Sequence, residues 1–537
     1  MSAVPPTSSP TSPPPSTASL ANSASPSTDD SVSALVQRLR TAAPALGVPP
    51  GTPAVPDPRS ADDDPVAEAA RLLEAATDAV QRTGGNDRLW LLLAVTFGEL
   101  PLAEDVLRLR RRLELDGGVA GSRFLLDPAR WPAAGLSAAP AELARTQVVV
   151  DTGHTARWSV TTGIQRVVRE VLRRWVPDRD VLPVGWTEGQ ACTRTLTAEE
   201  WARVARWGDA RDESPGAPEP TTRLVLPWHT TVLLAEVPGE QERVERLACL
   251  ARFSGSRLVV VGYDVIPVTN ADAVGPGLAM SFSHYLAALK HADRVVAISR
   301  TSAAEFTGYS RALSAQGLRG PEIVSCVLPA EALRVSAGPG PHDADPQDPD
   351  DPGPLPLVLC VGSIEPRKNH LSVLHAAEVL WREGLVFRVL LLGKTSALSR
   401  PVQDRLAELR RAGRPVELRT DADDAELARA YRDARLSVFV STHEGFGLPV
   451  AESLASGTPV VTSAHGSTAE AAAGGGALLV PVRTGTGADG AITDAVRRLL
   501  TDDELHAELV GQCAVRPART WDDYARELWH HLHPGDA

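Results

Sequence analysis

The sequence contains few cysteines, few lysines and no long apolar run. Five cysteines are scattered along the 537 residues without a C-x-x-C pair: Cys192, Cys249, Cys326, Cys360 and Cys513. This scatter argues against a disulfide scaffold and against a structural zinc site, and it favours a reducing compartment. The longest apolar run surrounds Leu89–Phe97 and is much shorter than the roughly 20 residues that a membrane-spanning helix needs.

Positive charge is also in the minority. Asp and Glu number 67 against 54 Lys and Arg, which gives a formal net charge of −13 at pH 7. Broad nucleic-acid binding needs a basic face, so we expect no nucleic-acid partner. The N-terminal MSAVPPTSSP has neither a basic n-region nor an apolar h-region, which predicts that it is not a signal peptide. Together these features predict a soluble cytoplasmic protein.

Lysine is nearly absent, since three lysines stand against 51 arginines. The three are Lys290, Lys368 and Lys394. The arginine side chain ends in a planar guanidinium and the lysine side chain in a compact ammonium. A retained lysine therefore indicates a position that requires the compact charge. The alternative, lysines at indifferent surface positions, stays open at this point.

The first part of the chain differs in composition from the rest. Residues 1–30 hold seven Pro, nine Ser and four Thr, and such a segment cannot bury enough apolar surface to fold. We therefore predict a disordered tail over residues 1–64, of which residues 1–60 are dispensable. Residues 65–140 carry apolar side chains at helical spacing and predict a helical accessory region of two or three helices. Its basic residues 108–112 are compatible with contact to anionic lipid, although a solvated helix face is the preferred interpretation.

From residue 146 onward, strand-like apolar runs alternate with helical segments, which predicts parallel sheets covered on both faces. Residues 146–335 form one such α/β domain and residues 357–515 a second. Between them, Ser336–Pro356 contains seven Pro and five Asp and predicts a solvated linker. Residues 516–537 include the amphipathic WDDYARELWHHL and predict a closing helix. Two doubly wound domains joined in this way enclose a cleft at the carboxyl ends of their strands, where such sheets bind ligands.

The most informative segment is Leu436–Ser463, LSVFVSTHEGFGLPVAESLASGTPVVTS. A strand ends near Ser441, a glycine-containing loop follows, and a helix begins near Leu448. The N–H groups of the loop and the positive end of the helix suit a diphosphate. The carboxylates of Glu444 and Glu452 suit the vicinal hydroxyls of a sugar or a ribose. On spacing alone, a glycine-rich turn with two ordinary surface glutamates explains the segment about equally well.

This E-x7-E element, EGFGLPVAE followed by SGTPVV, resembles the retaining glycosyltransferases of family 4, which have the GT-B fold of two Rossmann-like domains. The segments VLCVGSIEPRKNHLSVLHAAEVLW and DDAELARAYRDARLSVFVS resemble the same family. In the N-terminal half, DTGHTARWSVTTGIQRVVREVL, GYDVIPV and HADRVVAISRTSAAEF do so too. Roughly residues 146–530 are covered. The resemblance implies a GT-B fold with an N-terminal acceptor domain and a C-terminal domain for a nucleotide-sugar donor.

The resemblance also implies roles for individual residues. Glu452 matches the glutamate that holds the ribose hydroxyls, Glu444 the one that faces the transferred sugar, and Lys368 the basic residue that binds the diphosphate. Backbone N–H groups of the loop are implied to meet the sugar and the diphosphate, at Gly445, Phe446, Gly447 and Leu448.

Two positions depart from the family pattern. Ser363 stands where many members have an arginine, and Arg367, beside Lys368, is the candidate for the second positive charge. Tyr263 stands where many members have a histidine. We therefore keep Asp264 as the candidate N-domain residue near the transferred sugar, with Tyr263 as a weaker one.

The remaining signals are weaker. Gly163 in TGIQR allows a close backbone approach to the donor phosphates or the acceptor, or else only shapes a helix start. Lys394 in LLLGKT is a candidate second phosphate contact or an ordinary surface lysine. No H-x-x-x-H spacing occurs. Asp-x-Asp patterns occur at residues 178–180, 343–345 and 421–423, of which the second falls in the linker and the third at an expected helix cap. We therefore predict no metal and no cofactor beyond the nucleotide-sugar substrate, with His443 and His465 as hydrogen-bonding neighbours of the site.

These observations predict a metal-independent, retaining hexosyltransferase that acts on a nucleotide diphosphate sugar and a glycan or lipid-linked acceptor. The EPRKN form of the loop resembles mannosyl- and rhamnosyl-type transferases of bacterial surface polysaccharides, which makes GDP-mannose the first donor to test. A lipid-linked acceptor would add a peripheral contact at the inner face of the membrane. Two alternatives stay open: a nucleotide-sugar epimerase on a similar scaffold, and a non-catalytic nucleotide-sugar-binding module.

Overall fold

The computed structural model describes residues 28–49, 64–127, 137–158, 162–205, 222–275, 277–331, 355–482, 488–517 and 519–533. Its elements form an N-terminal group of helices, two β-sheets with their covering helices, and a C-terminal helix. The predicted linker lies outside the described residues except for residues 355 and 356. Across these ranges we find no helix with the length and apolarity that a bilayer crossing requires.

The N-terminal group contains α1 (Thr28–Leu46), α2 (Pro65–Thr83), α3 (Asn86–Phe97) and α4 (Ala103–Leu126). Asp64 caps α2 by accepting a hydrogen bond from the backbone N–H of Val66 at 3.0 Å. Pro65 occupies the first turn, where its missing N–H is not needed. Helix α1 packs against α2 and α3, and α2 packs against α4. The helical spacing seen in the sequence therefore reflects mutual burial of these helices.

Helix α1 is firmly joined to the rest of the domain. Leu39 and Leu46 are buried among the apolar residues of the neighbouring helices. Arg38 is buried as well, and its guanidinium donates to the backbone oxygens of Val95 at 2.8 Å and Ser137 at 2.6 Å. These hydrogen bonds tie α1 to α3 and to the segment that precedes the first β-strand.

The predicted disorder over residues 1–64 is therefore wrong for residues 28–46. The Pro- and Ser-rich composition of the first 27 residues masked the apolar stripe of SVSALVQRLRTAAPAL, which begins at residue 31. A segment with such a stripe can bury enough surface to offset its ordering entropy. Residues 1–27 and 50–63, which the same prediction covers, lie outside the described residues.

Three basic residues of α4 are paired within the helix. Three arginines at exposed positions form ion pairs with carboxylates four residues away: Arg108–Glu104, Arg110–Glu114 and Arg112–Asp116. Pairs at this spacing are typical of a solvated helix face. The structure therefore favours that interpretation over contact with anionic lipid.

The first sheet has nine strands within the described residues, in the order β1-β5-β4-β3-β2-β6-β7-β8-β9. They are β1 (Ala141–Ala144), β2 (Val148–Asp151), β3 (Val181–Trp186), β4 (Thr193–Thr195), β5 (Leu224–Pro227), β6 (Thr231–Leu234), β7 (Arg257–Gly262), β8 (Arg294–Ala297) and β9 (Glu322–Ser325). The pairs are parallel except for those of β4, which runs antiparallel to both neighbours. Strand β1 precedes the predicted domain start at residue 146. It belongs to this domain, because it pairs in parallel with β5 at one edge of the sheet.

Helices cover both faces of this sheet: α5 (Gly153–Arg157), α6 (Gly163–Trp175), α7 (Ala198–Ala205), α8 (Gln241–Phe253), α9 (Ile266–Thr269), α10 (Leu278–Leu289) and α11 (Arg300–Ala315). Two separate apolar clusters include side chains from alternate positions of the central strands. In β7, for example, Leu258 and Val260 belong to one cluster, and Val259 and Val261 belong to the other. This alternation is why the strands read as continuous apolar runs.

The second sheet is parallel throughout its described strands, in the order β12-β11-β10-β13-β14-β15. The strands are β10 (Leu357–Val361), β11 (Arg388–Leu392), β12 (Val416–Arg419), β13 (Leu436–Phe439), β14 (Val460–Ser463) and β15 (Ala477–Val480). The helices are α12 (His370–Arg382), α13 (Arg400–Arg411), α14 (Asp424–Asp433), α15 (Leu448–Ala455), α16 (Gly466–Ala472), α17 (Ala488–Thr501) and α18 (Asp503–Ala514). The predicted class, two doubly wound α/β domains with an N-terminal helical region, is confirmed.

The last helix, α19 (Trp521–Leu532), returns to the first domain and packs on α6. The indole N–H of Trp175 donates to the backbone oxygen of Ala525 at 3.0 Å, and the Trp175 and Trp529 rings meet edge to face at 5.2 Å. The chain thus returns from the second domain to the first, and α19 joins the two domains.

Candidate active site

The carboxyl ends of the two sheets meet across a cleft. Asp264 follows β7 of the first sheet, Lys368 follows β10 of the second, and Glu444 follows β13, which is paired with β10. A cavity of about 360 Å³ lies between the domains and is lined by Asp264, Ile266, Pro267, Ala273, Val274, Gly275, Leu278, Glu365, Arg367, Ser396, Ala397 and Leu398. Open α/β sheets bind ligands at this edge. The cavity therefore lies where a ligand of either sheet is expected.

A tight loop between β10 and α12 positions Lys368. The residues Pro366–Lys368 form one turn of 3-10 helix, and Asn369 ends the turn with a φ of 58°. Asn tolerates this left-handed conformation better than most residues. At the neighbouring strand end, a Cβ on Gly393 would lie 1.9 Å from the backbone oxygen of Gly362. Only glycine lets the ends of β10 and β11 approach this closely.

Lys368, Arg367 and Glu444 form a compact ion cluster. The Oε1 atom of Glu444 lies 2.6 Å from Nζ of Lys368 and 2.8 Å from Nη1 of Arg367. In addition to this ion pair, Nε of Arg367 donates a hydrogen bond to Glu365 at 3.1 Å. The ammonium of Lys368 lies 4.7 Å from the centre of the Phe439 ring. The structure therefore brings together two predicted diphosphate-binding cations and the predicted sugar-facing glutamate.

Burial and pairing act in opposite directions on this cluster. Burial would raise the pKa of Glu444, but the charges of Lys368 and Arg367 outweigh it, so that the pKa of Glu444 is lowered. Burial lowers the pKa of Lys368 in spite of Glu444. Burial also acts to lower the pKa of Arg367, but Glu444 and Glu365 outweigh it and raise that pKa. Glu444 is thus an ionised hydrogen-bond acceptor, which suits the hydroxyl groups of a sugar.

The loop after Glu444 is held by the first domain. The backbone oxygen of Gly445 accepts hydrogen bonds from the hydroxyls of Ser299 at 2.7 Å and Ser302 at 2.9 Å. A Cβ on Gly445 would lie 2.5 Å from the backbone oxygen of Tyr263. A side chain at this position would therefore push the two domains apart.

Two helix N-termini meet at the other end of this loop. Gly447 has a φ of 98° and precedes Leu448, the first residue of α15; only glycine adopts this conformation without steric cost. Gly163 is the first residue of α6, and a Cβ on it would lie 3.3 Å from Cδ1 of Leu448. The starts of α6 and α15 are thus adjacent, and the positive ends of two helices lie beside this loop, which suits an anionic ligand. Phe446 is buried in the apolar cluster beneath them.

Asp264 and Tyr263 reach different places. Asp264 lines the cavity, and its Oδ2 lies 3.3 Å from the Cβ position of Gly445, while Oδ1 accepts from the N–H of Ile266 at 3.0 Å. Burial raises the pKa of Asp264. The Tyr263 hydroxyl donates to the backbone oxygen of Ala235 at 2.8 Å, and its ring is buried inside the first domain. The weaker prediction, a sugar contact by the Tyr263 side chain, is therefore wrong.

Glu452 already has protein partners on both oxygens. Oε1 accepts from Nη1 of Arg166 on α6 at 2.5 Å, and Oε2 accepts from the hydroxyl of Tyr431 on α14 at 3.1 Å. Burial raises the pKa of Glu452, although Arg166 opposes that rise. The carboxylate that was predicted to hold ribose hydroxyls thus forms a buried ion pair between the domains.

Ser363 and Lys394 lie at the adjacent ends of β10 and β11. The N–H of Ile364 donates to the backbone oxygen of Lys394 at 2.8 Å, which holds the two loops side by side. Ser363 is partly buried, and the side chain of Lys394 is exposed. This placement fits a phosphate contact and a surface lysine equally, so the role of Lys394 stays a prediction.

Several residues of the site were not predicted: Arg166, Tyr431, Ser299, Ser302 and Glu305. Arg166 and Tyr431 stand inside the motifs TGIQR and DDAELARAYRDA, so the signal was present. Their meeting with Glu452 depends on how α6, α14 and α15 are placed in three dimensions, which local periodicity does not reveal.

His443 joins the domains next to the ion cluster. Its Nε2 lies 2.6 Å from Oε1 of Glu305 on α11, and its Nδ1 lies 2.9 Å from Oδ1 of Asn270. The hydrogen bond to Glu305 raises the pKa of His443, and burial opposes this. His465 contacts the backbone oxygen of Thr442 at 3.1 Å. Both histidines are hydrogen-bonded neighbours of the site, as predicted.

The His443–Glu305 pair predicts a pH-dependent contribution to stability. Because the folded-state pKa of His443 is raised, the contribution is complete below the unfolded-state pKa and is lost as the pH rises through the folded value. We expect His443→Gln to lower Tm by about 2–4 °C near pH 6, for a contribution of about 1 kcal/mol, and by less near pH 9. The exposed His375 of α12 provides the control His375→Gln. A difference in Tm between the wild type and His443→Gln that increases with pH would contradict the prediction.

Comparison with known proteins bears on the second domain most directly. Residues 342–512 match the family model of glycosyl transferases group 1. The second domain is therefore similar to the glycosyl transferases of group 1. This domain contains β10–β15 and therefore the ion cluster of Glu444, Lys368 and Arg367.

Curated relatives of this chain extend the likeness into the first domain. The serotype-specific mannosyltransferase WbdA of Escherichia coli is 26% identical over 332 residues, which cover 59% of this chain and 38% of that protein. A D-inositol 3-phosphate glycosyltransferase of Thermomonospora curvata is 36% identical over 178 residues, 31% of this chain and 40% of that protein. The chain thus spans well under half the length of these relatives.

Solved structures are similar to this chain in fold. The Anabaena protein Alr3699/HepE, solved in complex with UDP and glucose, superimposes with a TM-score of 0.51 at 12% identity. The match covers 73% of this chain and 100% of that one. This likeness confirms the predicted GT-B fold.

Within the ranges that the structure describes, no three His, Cys, Asp or Glu side chains are grouped to hold a metal ion.

Proposed function

We propose that this chain is a retaining glycosyltransferase that moves a hexose, with mannose as the first candidate, from a nucleoside diphosphate sugar to a glycan or lipid-linked acceptor. The observation that carries the proposal is the ion cluster, in which Glu444 lies within 2.8 Å of both Lys368 and Arg367. It stands at the carboxyl end of β10, beside the loop that leads into α15 and across the cleft from Asp264.

The charges of the site suggest how the donor binds. Lys368, Arg367 and the first turn of α15 offer positive charge and N–H donors to the diphosphate. Glu444 then accepts hydrogen bonds from the hydroxyls of the sugar, and Glu452 accepts those of the ribose. Asp264 supplies the contact from the first domain to the transferred sugar.

The proposed reaction needs no covalent intermediate on the protein. The bond between the anomeric carbon and the phosphate oxygen breaks, and its electron pair leaves with the diphosphate. The acceptor hydroxyl forms the new bond from the same face, and its proton passes to the departing phosphate oxygen. Lys368 and Arg367 stabilise the negative charge that grows on the leaving group. Because these two cations compensate that charge, we propose that the reaction proceeds without a divalent ion.

The choice of sugar, acceptor and compartment rests on sequence likeness. The relatives include the mannosyltransferase WbdA and an O-antigen chain mannosyltransferase B of Escherichia coli. Together with the EPRKN loop, they favour GDP-mannose as donor and a surface polysaccharide, free or lipid-linked, as acceptor. We propose that transfer takes place in the cytoplasm, at the inner face of the membrane when the acceptor is lipid-linked.

Incubation with GDP-mannose and octyl α-mannoside, with and without EDTA, tests this function. We expect a mannosylated product of unchanged α configuration by mass spectrometry and NMR, formed at the same rate in both samples. UDP-glucose and dTDP-rhamnose serve as parallel donors. Transfer that stops with EDTA and returns with Mg²⁺, or a product of inverted configuration, contradicts the mechanism. Conversion of the nucleotide sugar without acceptor supports the epimerase alternative, and binding without any turnover supports a non-catalytic module.

Replacement of Glu444 by glutamine separates its role from those of its partners. The change removes the charged acceptor of the sugar hydroxyls, but it also releases Lys368 and Arg367 for the diphosphate. We expect binding of GDP-mannose to weaken about tenfold or more relative to binding of GDP, as loss of one charged hydrogen bond implies. Calorimetric titration measures the affinity for GDP and the affinity for GDP-mannose. Glu365→Gln, which removes a partner of Arg367 alone, is the control. Equal weakening for GDP and GDP-mannose would contradict the assignment.

A further inference from the structure

The cations of the donor site are paired with the carboxylates of the same site. Lys368 and Arg367 contact Glu444, and Arg166 contacts Glu452. Two of these cations belong to the second domain, whereas Arg166 belongs to α6 of the first. Each of these three cations is thus paired with a carboxylate before any ligand enters the site.

A bound donor would change this pairing. If Glu444 turns to the sugar and Glu452 to the ribose, as the proposed function requires, the cations lose their carboxylate partners. The Arg166 side chain is 21% exposed and that of Glu452 is 8% exposed, so an unpaired Arg166 would be costly. Another anion must therefore take the place of Glu452, and the diphosphate is the anion that the donor brings.

The position of Arg166 allows this exchange. Gly163 begins α6 in contact with Leu448, the first residue of α15. Arg166 stands three residues further along α6, and Glu452 stands four residues further along α15. The distance along α15 from Glu452 to the first turn is about 6 Å, which rotation of a long arginine side chain can cover.

We propose that Arg166 is a diphosphate-binding residue that the first domain supplies to the donor site, moving from Glu452 to the diphosphate as the ribose takes its place. The inference rests on the proposed function and adds to it a residue from the opposite domain. It makes closure of the cleft and binding of the diphosphate parts of one event, because Arg166 reaches the site only when α6 and α15 are in contact.

Titration of Arg166→Ala with GDP and with guanosine tests the inference; if the wild type prefers UDP, the pair is UDP and uridine. We expect the affinity for GDP to fall about tenfold or more, as loss of a charge-assisted hydrogen bond to phosphate implies. The affinity for guanosine should stay within about twofold or increase, because Glu452 is then free for the ribose. Arg166→Lys should keep part of the GDP affinity. Arg173→Ala should change neither the GDP affinity nor the guanosine affinity. It removes the same charge from the exposed last turn of α6, about 10 Å away.

Each other outcome overturns the inference. Tighter GDP binding by Arg166→Ala would mean that Arg166 only blocks Glu452. Equal weakening for GDP and guanosine, or a lowered Tm with no difference between the two ligands, would mean that Arg166 only maintains the shape of the site. Unchanged GDP affinity would exclude a phosphate contact. A wild-type chain that binds neither GDP nor UDP would instead overturn the proposed function itself, and this inference with it.

Discussion

Replacement of Lys368 by alanine is expected to lower kcat about 10²–10³-fold, the scale that follows removal of one preorganised charge stabiliser. Lys368 is held in place by Glu444 at 2.6 Å and by the ring of Phe439. Negative charge accumulates on the diphosphate in the transition state more than in the bound donor, so the loss should appear in kcat more than in the donor KM. Steady-state kinetics with varied GDP-mannose measure both parameters.

Lys368→Arg is the stricter variant, because it retains the charge. The lysine side chain passes close to the backbone, and a Cβ on Gly362 would lie 3.5 Å from Cε of Lys368. A planar guanidinium is wider than an ammonium, so we expect it to displace Glu444 from its position 2.6 Å from Nζ. We therefore expect Lys368→Arg to lower kcat as well. Lys290→Ala, at the end of α10, provides the control and should retain wild-type kinetics.

Two results would contradict this assignment. Wild-type kinetics of Lys368→Arg would show that any positive charge suffices at this position. An effect of Lys368→Ala on KM alone would show that the residue stabilises the bound donor and the transition state equally, in which case it is not the leaving-group stabiliser.

Local sequence patterns predicted most strands of both sheets, because buried parallel strands are short apolar runs between amphipathic helices. The patterns did not reveal β1, β3 and β4 of the first sheet. The apolar run that opens the first predicted α/β domain at residue 146 is β2, and the run LSVFVS is β13. The cluster of Glu444 and Lys368 was predicted through a resemblance whose motifs are contiguous in sequence. The ion pair between Arg166 and Glu452 was not predicted, since these residues stand 286 positions apart in the sequence and belong to different domains.

The errors have separate physical causes. Tyr263 follows the same strand as Asp264, but adjacent side chains point to opposite sides, so the tyrosine hydroxyl reaches Ala235 inside the domain. Helix α1 was overlooked because composition was averaged over a window in which Pro- and Ser-rich residues dominate. A search for helical periodicity within residues 28–46, rather than for composition across residues 1–64, would have found it.

Removal of α1 is expected to destabilise the first domain severely, contrary to the sequence-based expectation that residues 1–60 are dispensable. The helix buries a row of apolar side chains against α2 and α3: Leu35, Val36, Leu39, Ala42 and Leu46. Truncation of one buried leucine to alanine costs about 2–5 kcal/mol. Loss of the whole row also exposes the faces of α2 and α3 that it covers. Arg38 adds hydrogen bonds to Ser137 and Ala139, just ahead of β1, so the edge of the sheet loses an anchor as well.

A chain that starts at Ala61 should therefore aggregate or unfold at least 10 °C below the full chain, since several kcal/mol at about 2–4 °C each are lost. Leu39→Ala should lower Tm by several degrees on the same scale. A chain that starts at Thr28 keeps every contact that the structure describes for α1 and is the matched control. Thermal unfolding followed by circular dichroism, with GDP binding as a second readout, compares the three. If the chain from Ala61 unfolds at the temperature of the full chain and binds GDP equally well, α1 is an appendage, and the hydrogen bonds of Arg38 do not hold β1 in place.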